Sequence, residues 1–466
     1  MLLLDLLYLL ALTVLSPWLL WRAVATGRYR RHLGAKLLGR VPASAPVSAA
    51  PAAPAPASTP VPAAPAAPAS ASAARRQPVA WFHAVSLGEV AVLGTLVPAF
   101  RRRHPDYHVV VSSTTDSGLA EAHRRFPDLR VIAFPFDFSW AVAAALDTVR
   151  PAVVVLVESE LWPNFLAAAR RRATPVLVVN ARVSPRTFRR LRPVAALARR
   201  LILEPVTRFA VQESEYADRL RRLGVPEEKL VVTGSVKYDG ATGERDAPAT
   251  RALASLLAAE RVAATGGCVW LAGSTHAPEE AIVLDVFTRL RRRFPELRLL
   301  LVPRHPDRFA EVARLVEASG WPFVRRSSVR QPLAEMPPVV LLDTVGELGA
   351  AWGLADVGFT GGSLDGYRGG QSMIEPAGYG VPCLFGPHVW NFRDVARRLV
   401  EVGGAVVVPD AATLEVELAR LIADAGLRAR RGAAARELVR RQQGATARTL
   451  DVITAVLRTP ARRHAA

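Results

Sequence analysis

The feature that most narrows what this chain can fold into is a repeated pairing of a short apolar run with a polar cluster. Residues 108–111 (HVVV) give way to Ser112-Ser113-Thr114-Thr115, 153–157 (VVVLV) to Glu158-Ser159-Glu160, 176–179 to Asn180-Ala181-Arg182, 209–211 to Gln212-Glu213-Ser214, and 231–232 to Thr233-Gly234-Ser235. The second half repeats the pattern. Residues 299–302 end at Pro303-Arg304-His305, 339–342 at Asp343-Thr344, 357–359 at Thr360-Gly361-Gly362-Ser363, and 382–385 at Gly386-Pro387-His388. Longer amphipathic stretches separate the runs, which predicts βαβ units and parallel sheets. In open α/β sheets ligands sit beyond the carboxyl ends of the strands. Two such sheets, on either side of a variable stretch near 239–265, predict two reactive edges facing across a cleft. Polar turns follow strands in every α/β protein, so no single loop identifies a site. The recurrence of reactive side chains does.

A chain of 466 residues exceeds one hydrophobic core, so two domains with accessories are expected. Its 60 Lys and Arg against 41 Asp and Glu give a net charge of +19. That excess favours an acidic partner, a phosphate compound or an anionic membrane surface. Nucleic acid is set aside, because no basic motif interleaved with aromatics occurs. Cys268 and Cys383 lack CxxC spacing, so neither a disulfide framework nor a zinc site is expected, and a reducing, cytosolic setting fits. Residues 1–22 begin MLLLDLLYLLALTVLSPWLLW, with Asp5 as the one charge before Arg22, and lead into a basic membrane-proximal segment over 23–41. This length just suffices to cross a hydrocarbon layer, and the basic flank would keep the rest of the chain in the cytoplasm. A cleaved signal peptide fits less well, since no positive region precedes the apolar stretch. Asp5 and Pro17 also permit a helix lying in the membrane surface. Residues 42–77 are almost wholly Ala, Pro and Ser, the composition of a disordered tether.

Several motifs carry side chains suited to chemistry. WFHAVSLGEV (81–90) sets Ser86, Gly88 and Glu89 where an early strand meets a helix. Glu89 there is either a general base for a bound hydroxyl or an ordinary acidic first-turn residue, and His83 reads as structural. Glu158 and Glu160, costly to bury unpaired, end a strand that runs into solvent or delivers carboxylates to a ligand. Ser274 and Thr275 in WLAGSTHAPEE precede a helix start suited to an anion. Arg304 and His305 stand at a strand end, where a guanidinium can pair with phosphate. The stretch 358–382, with Gly362, Ser363 and Glu375, is either a mobile loop or a donor site, with amides for phosphate and a carboxylate for ribose hydroxyls. It matches neither a P-loop nor a dinucleotide fingerprint.

The ordered motifs HAVSLGEV, VESELWPN, NARVSP, VTGSVKYD, AGSTHAPEE, VPRHPDRF, DTVGELG, FTGGSL and GPHVWNFRD closely resemble the 3-deoxy-D-manno-octulosonic acid (Kdo) transferases of lipopolysaccharide synthesis. The resemblance implies an α/β fold of GT-B type: two Rossmann-like domains facing across a cleft, behind an N-terminal membrane-anchor helix. It also implies an acceptor-binding domain over 78–240, a linker over 241–261, a CMP-Kdo-binding domain over 262–444, a helix over 445–458 crossing back to the first domain, and a tail over 459–466. It implies an enzyme on the cytoplasmic side of a bacterial inner membrane, whose partners are CMP-Kdo, a lipid A precursor and the anionic membrane surface. Glu89 falls on the family's base, and Glu160 and Lys237 on its transition-state residues. Ser86, Gly88 and Arg182 are expected on the acceptor side. CMP contacts fall on Pro303 and Arg304, on Val345-Gly346-Glu347, and on Ser372, Met373, Ile374 and Glu375, with Ser274, Thr275, His305, Gly362 and Ser363 beside them. No metal and no cofactor are implied. The implied reaction is a single inverting displacement, with charge stabilised at both ends. Where the family has Gly-Gly-His-Asn, this chain has Gly369-Gly370-Gln371-Ser372, which puts the donor contact at Ser372 in question. The rivals are another GT-B nucleotide-sugar enzyme such as a 2-epimerase, or a membrane-tethered CMP-Kdo binder without turnover.

Overall fold

The valine-rich runs become central strands because parallel strands covered on both faces need apolar side chains on both. The computed structural model describes residues 2–26, 32–41, 77–241 and 243–459. The tether expected over 42–77 lies outside the described residues except for Gln77, as does the tail beyond Thr459. The chain divides into two compact units, residues 1–236 with 444–466, and residues 237–443.

The first unit is built on a seven-stranded sheet of β1 (Val79–Ala84), β2 (His108–Ser113), β3 (Arg130–Ala133), β4 (Pro151–Val157), β5 (Val176–Ala181), β6 (Arg208–Val211) and β7 (Leu230–Val232), in the order β3-β2-β1-β4-β5-β6-β7. Every pairing is parallel. Trp81 and Phe165 are buried on one face; Phe82 and Phe100 fill the other, where the C-terminal helix Ala445–Arg458 adds Leu450 and Ile453. The second unit repeats the plan with β8 (Cys268–Thr275), β9 (Leu297–Pro303), β10 (Phe323–Arg325), β11 (Val339–Leu341), β12 (Val357–Thr360), β13 (Cys383–Phe385) and β14 (Ala405–Val407), ordered β10-β11-β9-β8-β12-β13-β14, again all parallel. In each sheet the strand order reverses beside the first strand, between β1 and β4 and between β8 and β12. Those two points are where this architecture opens a crevice.

Both thiols, Cys268 and Cys383, are free and buried. The arginine runs 101–103, 170–172 and 291–293 close the helices Leu87–Arg103, Pro163–Arg171 and Glu279–Arg293, where cations meet the negative end of the helix dipole.

Residues Leu2–Thr26 form one helix. Among the described residues no helix is long and apolar enough to cross a membrane, so the membrane-spanning form of the expected anchor has no support. The beginning of this helix is docked on the first unit. Asp5 is 4% exposed, and Tyr8 donates to Asp137 at 3.0 Å. Leu6, Leu7, Leu9, Leu10, Val14 and Leu15 stay exposed. A short helix, Leu33–Leu38, packs beside the same region: Trp140 donates to the Leu37 carbonyl, and buried Lys36 lies 3.7 Å from Asp116.

Candidate active site

At the first crossover, Ser86 caps the helix Leu87–Arg103, and Glu89 lies three residues on. The Glu89 carboxylate accepts from the Val85 amide at 2.9 Å and from the Ser86 hydroxyl at 3.0 Å, while its own amide donates to Ser86 Oγ at 3.4 Å. This is a capping-box arrangement, so Glu89 does serve its helix start. It is not ordinary, however. Burial, with Glu158 and Glu160 adding like-charge repulsion, raises its pKa to about 7 against the opposition of its two hydrogen bonds. A carboxyl group poised there can exchange a proton with a hydroxyl at neutral pH.

The two other carboxylates come from the end of β4, which pairs directly with β1. Glu158 has a left-handed backbone (φ 63°), a conformation costly for a non-glycine residue, while its amide stays in the sheet ladder on the Val179 carbonyl. Its side chain lies 3.5 Å from Arg182. Glu160 accepts from the Trp162 indole at 3.0 Å, and burial raises its pKa. Ser159 donates to the Arg182 carbonyl at 2.6 Å, tying this loop to the one after β5. Glu89, Glu158, Glu160, Ser86 and Arg182 thus gather at one strand-order reversal. Gly88 is exposed in the first turn of its helix. Lys237 is half-buried on the turn Val236–Tyr238 and is the first residue of the second unit. His83 is fully buried, stacks on Phe134 and bonds Ser112, and burial depresses its pKa to about 3, so it is structural.

At the second crossover the key residue is Glu279, to which its sequence context assigns no role. Fully buried at the start of its helix, it accepts four backbone amides: His276 at 3.1 Å, Gly362 at 2.7 Å, Ser363 at 2.9 Å and Leu364 at 3.1 Å. The amides of Gly362 and Ser363 therefore serve an internal carboxylate rather than a phosphate. The Ser363 hydroxyl is likewise spent, donating to Thr360 and accepting from Gly386. The side chains of Met373 and Ile374 belong to the core of the unit, which leaves only their backbone for a ligand. Ser372 accepts from the Ile374 amide at 3.4 Å, and Glu375 sits half-buried in the first turn of the helix Ile374–Gly378.

Arginine and histidine side chains gather here. Half-buried Arg304 follows β9, its amide held by the Thr275 carbonyl; among the described residues its guanidinium has no ion pair. Burial, with Arg368, His305 and Arg304 nearby, lowers the His276 pKa to about 4. His305 packs edge-on to His276 at 5.1 Å, and Gln371 lies 3.4 Å from the same imidazole. Ser274 has φ 56°, and among the described residues the buried Thr275 hydroxyl has no hydrogen-bond partner. Pro303 ends β9. Glu347 pairs with Arg326 at 2.7 Å and accepts from Thr344, which places exposed Val345 and left-handed Gly346 (φ 94°) on a fixed turn. Among the described residues no group of three or more His, Cys, Asp or Glu is placed to hold a metal ion.

Two parallel sheets with their polar loops at the strand-order reversals make this a GT-B-type α/β protein. Solved structures agree on the fold. A Staphylococcus aureus MnaA–UDP co-structure covers 82% of this chain and 97% of its own at TM-score 0.53 and 15% identity. Anabaena Alr3699/HepE in complex with UDP covers 81% and 99% at TM-score 0.51 and 13% identity. The family model described as 3-deoxy-D-manno-octulosonic-acid transferase (kdotransferase) matches residues 64–240. The 3-deoxy-D-manno-octulosonic acid transferase of Haemophilus influenzae is 33% identical over 375 residues, covering 80% of this chain and 86% of that protein. That of Bordetella pertussis is 35% identical over 382 residues, covering 80% and 86%. The chain belongs to the Kdo transferase family.

Proposed function

We propose that the protein transfers Kdo from CMP-Kdo to a hydroxyl of a lipid A precursor in lipopolysaccharide synthesis, with inversion at the anomeric carbon. The observation that supports this most is the proton affinity of Glu89, raised to about 7 at the first crossover by burial beside Glu158 and Glu160. Its hydrogen bonds from Val85 and Ser86 leave lone pairs on both oxygens for an acceptor proton. As the acceptor oxygen attacks, Glu89 takes its proton, the new glycosidic bond forms, and CMP leaves from the opposite face with the bonding electrons on its phosphate. Positive charge develops on the sugar and negative charge on the departing phosphate. A fixed carboxylate and a fixed ammonium are worth most at those places, the roles we assign to Glu160 and Lys237. Ser86, Gly88 and Arg182 take the acceptor side; Arg304, Pro303 and His305, Val345 through Glu347, and Ser372 through Glu375 take CMP-Kdo. The reaction needs neither a metal nor a cofactor. The exposed leucines of the helix Leu2–Thr26 hold the protein on the cytoplasmic face of the bacterial inner membrane, lying in the surface, where the acceptor resides.

The test is purified protein with CMP-Kdo and a tetraacyl lipid A precursor, with and without a chelator, beside Glu89→Ala. Kdo-modified lipid is expected from the wild type at the same rate under chelation. Glu89→Ala is expected to lose roughly 100-fold or more in kcat, on the scale of a missing general base. Normal turnover by the variant would remove the base assignment.

A further inference from the structure

The N-terminal helix meets the first unit through bonds that lead to the Glu160 loop. The helix Ser139–Val149 begins after Phe138, and the helix Pro163–Arg171 after Trp162; neither preceding residue supplies a side-chain cap. Helix starts leave several amides without partners, and buried ones must find acceptors elsewhere. Here Asp5 accepts from the Ser139 amide at 2.9 Å and from the Ser139 hydroxyl, across 134 residues of chain. Asp137 does the same for the other helix, accepting from the Asn164 amide at 3.0 Å and the Phe165 amide at 2.8 Å.

Asn164 joins the two systems. Its fully buried side-chain amide donates to Asp5 Oδ1 at 3.0 Å and to the Asp137 carbonyl at 2.6 Å. Two acceptors on the same NH2 fix its orientation, since a flipped amide would turn its oxygen toward both. Asn164 is two residues beyond Trp162, whose indole holds Glu160 at 3.0 Å. Pro163 between them has little backbone freedom. A chain of fixed groups thus runs from Asp5 through Asn164 and Pro163 to the Trp162–Glu160 pair.

We propose that Asp5 is a positioning residue for the reaction: through Asn164 it fixes the start of the helix Pro163–Arg171 and with it the Glu160–Trp162 pair. The N-terminal helix is then a working part of the first unit as well as a means of attachment. This inference rests on the role proposed for Glu160. Asp5 itself touches no reacting atom in it.

The experiment uses the full chain in detergent micelles, where membrane recruitment no longer limits the rate. In Asp5→Ala, amide hydrogen exchange at Asn164 and Phe165 is expected to rise about tenfold, equivalent to about 1.4 kcal/mol, with exchange in the core of β4 unchanged. With CMP-Kdo and the tetraacyl acceptor, kcat is expected to fall about tenfold at an unchanged donor KM. Asp5→Asn keeps a carbonyl acceptor for Asn164 and is expected to recover most of both. Should Asp5→Ala not fold, Asn164→Ala breaks the same bond from the other side and is expected to raise exchange at Phe165 equally. Unchanged exchange over 158–165 in these variants overturns the proposal. So does faster exchange with a rate loss confined to vesicles and absent in micelles, which would make the helix a tether only. If the wild type transfers no Kdo at all, the proposed function fails while the exchange data still decide whether the latch exists.

Discussion

Glu89 shows how one carboxyl group serves a helix and, in the proposed reaction, a substrate, with opposite consequences for stability and activity. Its folded pKa of about 7 lies above the ordinary glutamate value, so between roughly pH 4.5 and 7 the native state holds a proton that the unfolded chain has released. The stability from that proton is complete below about pH 4.5 and is lost as the pH rises through 7. Activity runs the other way, because the base is the ionised form. Turnover per unit KM is therefore expected to rise with pH along an acid limb near 7. Glu158→Gln should move that limb downward, by removing one repelling charge. Glu89→Gln keeps partners for Val85 and Ser86 but has no charge to bury. It should be inactive at every pH and, at pH 8, more stable than the wild type by on the order of 1 kcal/mol, after allowance for the group's partial exposure. Melting curves at about pH 4 and pH 8 check this: a gain at pH 8 that vanishes at the lower pH is the expected signature, and an equal effect at both would refute it.

At the scale of elements, the features legible in the sequence and those hidden from it divide along a physical line. The central strands were readable because burial on both faces demands unbroken apolar runs such as VVVLV. Strands β3, β10 and β14 sit at sheet edges, where RVIA, FVR and AVV are short and only half-covered and so give weaker signals. The motifs around Glu89, Glu160 and Arg304 were visible because reactive side chains followed strands. The roles of Glu279 and of the Asp5, Asp137 and Asn164 group were not, because a carboxylate capping a loop 83 residues away leaves no local pattern. In the glycine-rich stretch the same holds for two amides: those of Gly362 and Ser363 are taken by Glu279, which nothing local in the sequence announces. The C-terminal helix Ala445–Arg458 gives an element-scale test. Ile453 is fully buried in the first unit's core beside Leu450 and Val456, though more than 200 residues separate it from β7 in sequence. Ile453→Ala should cost about 2–5 kcal/mol. The loss should appear in the melting of the first unit, read by exchange at β1 and β4, with exchange in β8 and β9 as the internal control.

For the molecule as a whole, the membrane attachment we propose would draw on two independent attractions to one surface, the net charge of +19 and the exposed leucines of the first helix. A single shallow apolar contact gives weak, reversible membrane binding, and stable attachment usually takes a second signal such as basic charge near anionic lipid. The charge term is screened over about 8 Å at physiological ionic strength, whereas apolar burial is little weakened by added salt. Binding to vesicles containing an anionic phospholipid should therefore be tight at low salt and fall toward a residual level as salt rises. Binding to zwitterionic vesicles should sit near that residual level at all salt concentrations. Replacing Leu6 and Leu10 by serine removes the residual part without altering the charge, and the double variant should bind anionic vesicles only at low salt. Cosedimentation at several salt concentrations separates these cases. Salt-independent binding to both kinds of vesicle, unaffected by the serine substitutions, would mean that neither the helix face nor the basic balance carries the attachment.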